Sequence, residues 1–279
     1  MDDFPRTTIE DLSVSRMIVG TNWFLGWSHQ TAARDRFIKT LQTRQRLADI
    51  LEVFLRAGVD TMLGNRPESP HLEEAVKDAE DRVGRAMVKI GTPGLELRAP
   101  DGQAINERVL DSYAAIGCKV CMPHQSTTDA LLDRLERRIR RMEEFCRMIR
   151  DRDMIPGLST HMPEAVKYAD ETGLDVATYI QLYNARGFLM QLEIDWVHRI
   201  IHGARKPVIT IKPMAAGRIQ PLVGLAFVWA TIRPEDMVCV GTMTADEARE
   251  VIDISRSILD NRAATVELQK TRSKASIMT

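Results

Sequence analysis

The stretch Met154–Asn184, MIPGLSTHMPEAVKYADETGLDVATYIQLYN, decides the fold class. It reads as strand, helix, strand. Met154 to Ser159 is a short apolar run. Pro163 to Thr172 is helical, with proline in the first turn, where its missing N–H costs nothing. Gly173 closes the helix in the position where a glycine can turn left-handed. Val176 to Leu182 is again apolar and β-rich. Two strands joined by a helix in so few residues make a βαβ step, the unit of a parallel sheet.

The same step repeats in both directions. Upstream, strands are predicted at Arg16–Gly20, Val59–Leu63, Arg85–Ile90 and Cys118–Met122. Helices are predicted between them at Arg44–Ala57, Pro70–Glu80, Asn106–Ile116 and Thr128–Arg150. The first helix carries Leu47, Ile50, Leu51, Phe54 and Leu55 at the three-and-four spacing of one buried face. Downstream, the strands Pro207–Ile211 and Met237–Val240 alternate with the helices Leu189–His202, Leu222–Thr231 and Ala245–Leu259. Eight strands and eight helices at about 30 residues per unit are the arithmetic of a (β/α)8 TIM barrel. A doubly wound sheet would announce its phosphate loop, and neither G-x-G-x-x-G nor G-x-x-x-x-G-K-[ST] occurs. No linker interrupts the series. Residues 1–279 therefore read as one barrel with a short N-terminal segment (1–15) and a polar, basic C-terminal tail (260–279).

Composition narrows the class of function. With 44% hydrophobic and 28% charged residues and a net charge of -1, the chain reads as a globular domain, not a disordered one. Nothing in the charge points to nucleic acid or membrane partners. No apolar run approaches the ~18 residues of a membrane span, and the acidic N-terminus is unlike a signal peptide. Four cysteines are too few for a disulfide scaffold, which makes a cytoplasmic location the expectation. Arg134–Arg150 holds seven arginines, but acids and a helical apolar stripe interleave them, as on the solvated face of an outer helix. Cys118 and Cys121 have metal or redox spacing, yet positions three apart on a regular strand face opposite ways.

A barrel places its reactive groups where the strands end at their C-terminal side. Polar residues there are Asn22, His29, Asn65, Arg66, Lys89, His124, Ser159, His161, Gln181, Asn184, Lys212 and Thr242. Three of the six histidines thus fall on one face. Histidine can act as acid, base or metal ligand near neutral pH. His29, His124 and His161 could hold a metal ion, or each could simply cap a loop. Lys89 and Lys212 lie on or beside apolar strands and either hold an anion or form structural ion pairs. Trp23, Phe24 and Trp27 put three of the chain's fifteen aromatics into one loop, an apolar wall for a ligand.

From strand five onward the sequence resembles the aldo-keto reductase superfamily. Gly157–Glu164, Tyr183–Asn184, Lys212–Arg218 and Val240–Thr244 are similar to short motifs of that family. The resemblance covers about residues 153–258. It implies a reductase barrel that binds NADP. It makes His124 the histidine that polarises a carbonyl and Lys89 the lysine that assists the acid. It places Ser159 at the nicotinamide amide and Lys212, Gly217, Gly241 and Thr242 along the cofactor. Trp23, Trp27, His29, Asn65, His161, Gln181 and Asn184 would then face the substrate. The family's strand-two aspartate and its catalytic tyrosine are missing: that stretch is Thr61–Pro67, and no tyrosine precedes Tyr113.

Three functions follow as expectations. One is an NAD(P)H-linked carbonyl oxidoreductase with an altered proton donor. Another is a non-redox lyase, isomerase or hydrolase that works on a sugar-like small molecule, with the histidines as acid/base groups or metal ligands. The last is a ligand-binding barrel without catalysis, because fold alone secures no reaction.

Overall fold

The computed structural model describes residues 3–264 and Val266. Most of the tail read at 260–279 lies outside the described residues. Eight parallel strands close into a ring: β3 (Met17–Gly20), β4 (Thr61–Asn65), β5 (Val88–Gly91), β6 (Cys118–Cys121), a split fifth strand, β11 (Tyr179–Leu182), β12 (Val208–Ile211) and β13 (Met237–Val240). The split strand consists of β9 (Ile155–Pro156) and β10 (Leu158–Ser159). β9 pairs with β6 and β10 with β11, so the ring closes across Gly157. A side chain there would strike Met122 at 2.8 Å. This is the predicted (β/α)8 barrel.

Helices wrap the ring: α1 (Ala32–Leu41), α2 (Arg44–Arg56), α3 (Pro70–Val83), α4 (Gly102–Ala115), α5 (Gln125–Leu131), α6 (Met142–Arg150), α7 (Glu164–Thr172), α8 (Ile194–Gly203), α9 (Pro221–Thr231) and α10 (Ala245–Leu259). The strands' two faces bury two apolar sets. Ile18, Leu63, Ile90, Val120, Ile180, Ile209 and Met237 fill the barrel interior. Leu51, Phe54, Leu72, Leu110, Phe145 and Val228 pack between barrel and helices.

The segment read at 1–15 is, over its described residues 3–15, more than a leading segment. β1 (Arg6–Ile9) and β2 (Leu12–Ser15) form an antiparallel hairpin. Its Ile9 and Val14 join the interior set, so the hairpin plugs the N-terminal end of the barrel. The single helix predicted at Thr128–Arg150 is also corrected. It is broken by a small hairpin, β7 (Leu132–Asp133) and β8 (Arg138–Ile139). Arg137 and Arg141 take left-handed backbone (φ 50 and 60), which no helix interior tolerates. The predicted apolar stripe included Leu135, which stands in the open at the tip, 95% exposed. Arg134 and Arg137 tie the hairpin to Glu164 and Glu171 of α7. The α1 helix escaped the sequence reading.

The cysteine pair corrects a geometric argument. The β5–β6 register shifts between Lys89 and Ile90, so Lys119 is an extra, exposed residue. That bulge brings Cys118 and Cys121 to the same side, in the layer between barrel and helices. Both are free thiols, and burial raises the pKa of each, which leaves it protonated.

Candidate active site at the barrel mouth

A cavity of about 860 Å³ opens where the strands end. The inward alternation of the strands decides which side chains reach it. Ile18 is followed two residues on by Gly20, Ile90 by Thr92, and Met237 by Cys239 and then Gly241. The second member of each series lines the cavity. His124 continues the inward series Val120, Met122, and His161 follows Ser159 on the same parity. Both histidines, with Ser159, line the cavity.

Lys212 has the wrong parity, because Ile211 already points inward. Its left-handed backbone (φ 60) turns the side chain back to the cavity. His29 reaches the rim the same way (φ 55), and Asn22 Nδ2 lies 3.0 Å from its Nε2. Trp23 and Trp27 also line the cavity, whereas Phe24 is buried in the core. Gly241 is required here, since a Cβ would lie 2.5 Å from Trp23 Cδ1. Gly217 (φ 82) completes the wall beside Lys212.

Five predicted site residues point elsewhere. Lys89 precedes the inward Ile90 and faces the helices, where its ammonium pairs with Glu73 at 2.5 Å and donates to Ile116 O at 3.0 Å. It belongs to the barrel–helix layer and not to the mouth. Asn65 shares the parity of Leu63 in the sequence, but a register shift at Gly64 flips it. Its Nδ2 lies 3.3 Å from the same Glu73. Gln181, next to the inward Ile180, is buried outside the cavity lining. Asn184 caps its own loop by accepting from Arg186 N and Phe188 N. Thr242 is buried with its hydroxyl off the cavity lining.

Three arginines join the site: Arg66, already among the strand-end residues, and Arg34 and Arg218, which were not. Arg34, Arg66 and Arg218 line the cavity, and among the described residues none of them forms an ion pair. Arg34 sits on the unpredicted α1, and its Nε has no partner. Arg218 follows Gly217 and stacks over Phe188 at 4.2 Å. Among the described residues, the only acids on the lining are Glu247 and Glu250 of α10. Glu247 accepts from Met243 N, which stabilises the start of that helix. Four unpaired Lys and Arg cations against two acids make the mouth electropositive.

That charge sets the protonation states. Burial pushes Lys212 down to about 8, and no carboxylate offsets it. Burial, with Lys212 as the next cause, pushes His161 down to about 4. His124 is lowered by burial, then by Arg66, then by Lys212. Its Nδ1 accepts from Ser126 N at 3.3 Å, and Ser126 Oγ lies 2.8 Å away. The neutral ring therefore carries its proton on Nε2. No three His, Cys, Asp or Glu side chains among the described residues are grouped to hold a metal ion, which removes the histidine-triad metal site. No tyrosine lines the cavity. Tyr113 lies behind Gly91, where a Cβ would collide with its ring.

No family model matches the sequence, and no curated protein matches it. Solved structures do. A Pseudomonas aeruginosa protein assigned to the aldo-keto reductases superposes with a TM-score of 0.64 over 91% of this chain and 94% of its own, at 15% identity. The chain has an aldo-keto-reductase-like fold. An aldo/keto reductase from Klebsiella pneumoniae, solved with NADP and acetate, matches with a TM-score of 0.54 at 16% identity, covering 96% and 92% of the two chains. Phospho-2-dehydro-3-deoxyheptonate aldolase from Thermotoga maritima matches at 0.53 and 12% identity, over 93% of this chain and 74% of that one. At such identities the likeness concerns the barrel, which hosts many chemistries.

Proposed function

We propose that the mouth reduces a small carbonyl compound with NADPH and that His124 supplies the proton. One observation carries this reading: a neutral histidine with its proton on Nε2 lines an electropositive cavity that contains no tyrosine. The residues fit the cofactor. Arg218 beside Gly217, and Arg34 reaching Met243 two residues beyond Gly241, are unpaired cations suited to its phosphates. Ser159, buried at the cavity wall, suits the nicotinamide amide. Lys212 with Gly217 and Gly241 lies along the same wall. Bound there, NADPH would supply a hydride.

This chain's own residues do the rest. Trp23 and Trp27 exclude water on one side of the cavity. His124 donates from Nε2 to the oxygen on which charge develops, and Ser126 holds the ring in orientation. Lys212 and Arg66 favour negative charge on that oxygen. Lys89 has no part in the chemistry, since Glu73 holds it in the helix layer. The four buried free thiols suit a reducing, cytoplasmic setting, and no helix of the described residues is long and apolar enough to cross a membrane.

Titration with NADPH, followed by nucleotide fluorescence and by calorimetry, tests the reading. Micromolar-range binding is expected, and His124→Gln should keep it while turnover falls by about 100-fold or more. Absence of binding by NADPH and NADH alike would sink the redox reading. The three histidines and the depressed Lys212 would then favour non-redox acid/base work on a carbonyl or sugar-like compound.

A further inference from the structure

We propose that the substrate is a 2-oxo acid whose carboxylate is held by Arg66. This deepens the carbonyl-reduction reading and rests on it. Arg66 follows β4, in a loop fixed at both sides. Thr21 Oγ1 donates to Gly64 O at 2.9 Å, and Ser69 N donates to Arg66 O at 3.0 Å. Gly64 takes φ 95, and a Cβ there would meet Thr21 Oγ1 at 2.5 Å. The guanidinium carbon lies over the Trp27 ring, 4.4 Å from its centroid. This cation–π contact anchors the guanidinium and leaves its N–H groups for a partner.

No protein group takes them. Arg66 has neither ion pair nor side-chain hydrogen bond among the described residues. Elsewhere arginines of this chain are tied down, as Arg152 is to Asp111, Arg150 to Glu10 and Asp175, and Arg233 to Asp236. The two acids of the cavity belong to α10, and Glu247 is engaged by Met243 N. An anchored, unpaired guanidinium in a cavity wall is a receptor for a planar anion, and a carboxylate matches its fork. Arg66 and His124 line the same cavity, and the Arg66 charge reaches the His124 ring. An anion on Arg66 then shares this cavity with the oxygen that His124 protonates. A carboxylate bonded directly to the carbonyl carbon meets that condition. Lys212, whose charge also reaches His124, adds to the positive field around it.

The test uses the full chain without nucleotide and two probes. Oxamate carries a carboxylate next to a carbonyl, and oxamide is its uncharged counterpart. Binding is read by tryptophan fluorescence, where Trp27 reports directly, and by calorimetry. Oxamate should bind and oxamide should bind at least about tenfold more weakly. Arg66→Gln should weaken oxamate by at least about tenfold, with Arg66→Lys recovering only part of it, while NADPH affinity stays unchanged. Equal binding of the two probes overturns the proposal, as does no oxamate binding. Full oxamate affinity in Arg66→Gln with loss in Lys212→Met or Arg218→Gln overturns it too, since the anion would then sit on another cation. Failure of NADPH to bind, with oxamate still lost in Arg66→Gln, counts against the redox reading and leaves the carboxylate site standing.

Discussion

At the scale of single residues the mouth is electrostatically costly. Lys212 is desolvated without a carboxylate partner, and its pKa falls from 10.5 to about 8. Its folded value lies below its unfolded one, so between about pH 8 and 10.5 the folded state binds fewer protons. Below about pH 8 the lysine therefore opposes folding, and the opposition disappears as pH rises toward 10.5. Lys212→Met should raise stability at pH 7 by on the order of 1 kcal/mol, the lysine's remaining solvent contact being allowed for, or about 2 °C in Tm by calorimetry. The gain should vanish near pH 10.5. His161 has the same sign. Its pKa falls from 6.5 to about 4, so its neutral form favours the fold above pH 6.5 and that contribution is lost as pH drops through 4. His161→Gln should flatten the acid limb of a Tm-against-pH curve across that window. An unchanged limb would show that other groups govern it.

At the scale of elements, strand parity and its interruptions sort the site. Lys89 on β5 is a fair mouth lysine until its alternation with Ile90 is seen. The Lys89–Glu73 pair instead joins β5 to α3, with side chains 16% and 19% exposed. Lys89→Met should cost about 1–3 kcal/mol in urea unfolding and leave NADPH and oxamate affinities unchanged. A large loss of ligand affinity at full stability would return Lys89 to the site. The sequence already grouped His29, His124, His161, Ser159, Lys212, Gly217, Gly241 and the two tryptophans, all of which line the cavity. It misplaced Asn65 because the Gly64 irregularity reverses parity, and no local signal distinguishes that from a regular strand end. Arg66 stood on the list of strand-end residues, but its stacking on Trp27 joins two loops far apart in sequence.

At the scale of the whole molecule, the barrel is closed at one end and open at the other. The β1–β2 hairpin inserts Ile9 and Val14 beneath Ile18, Ile90 and Val120, and both are fully buried. Water is thereby kept from the interior on the side away from the mouth. Ile9→Ala should cost about 2–4 kcal/mol by denaturant titration, a core-sized penalty for a residue near the chain's start. A cost below about 0.5 kcal/mol would show that the hairpin merely rests on the barrel.

Local physics settled the barrel from sequence alone. Apolar periodicity, glycine helix stops and a repeat of about 30 residues are properties of neighbouring residues, and they survive without knowledge of partners. The same pattern set which strand ends face the mouth, and so which histidines meet there. What only the tertiary structure decided depends on non-local pairing. Bulges at Gly64 and Lys119 reverse which way a side chain points, left-handed backbone at Lys212 and His29 turns residues inward, and Glu73 withdraws Lys89 from the mouth. An arginine's role is likewise settled by whether folding brings it a carboxylate or leaves it, as at Arg66, to find its anion in a ligand.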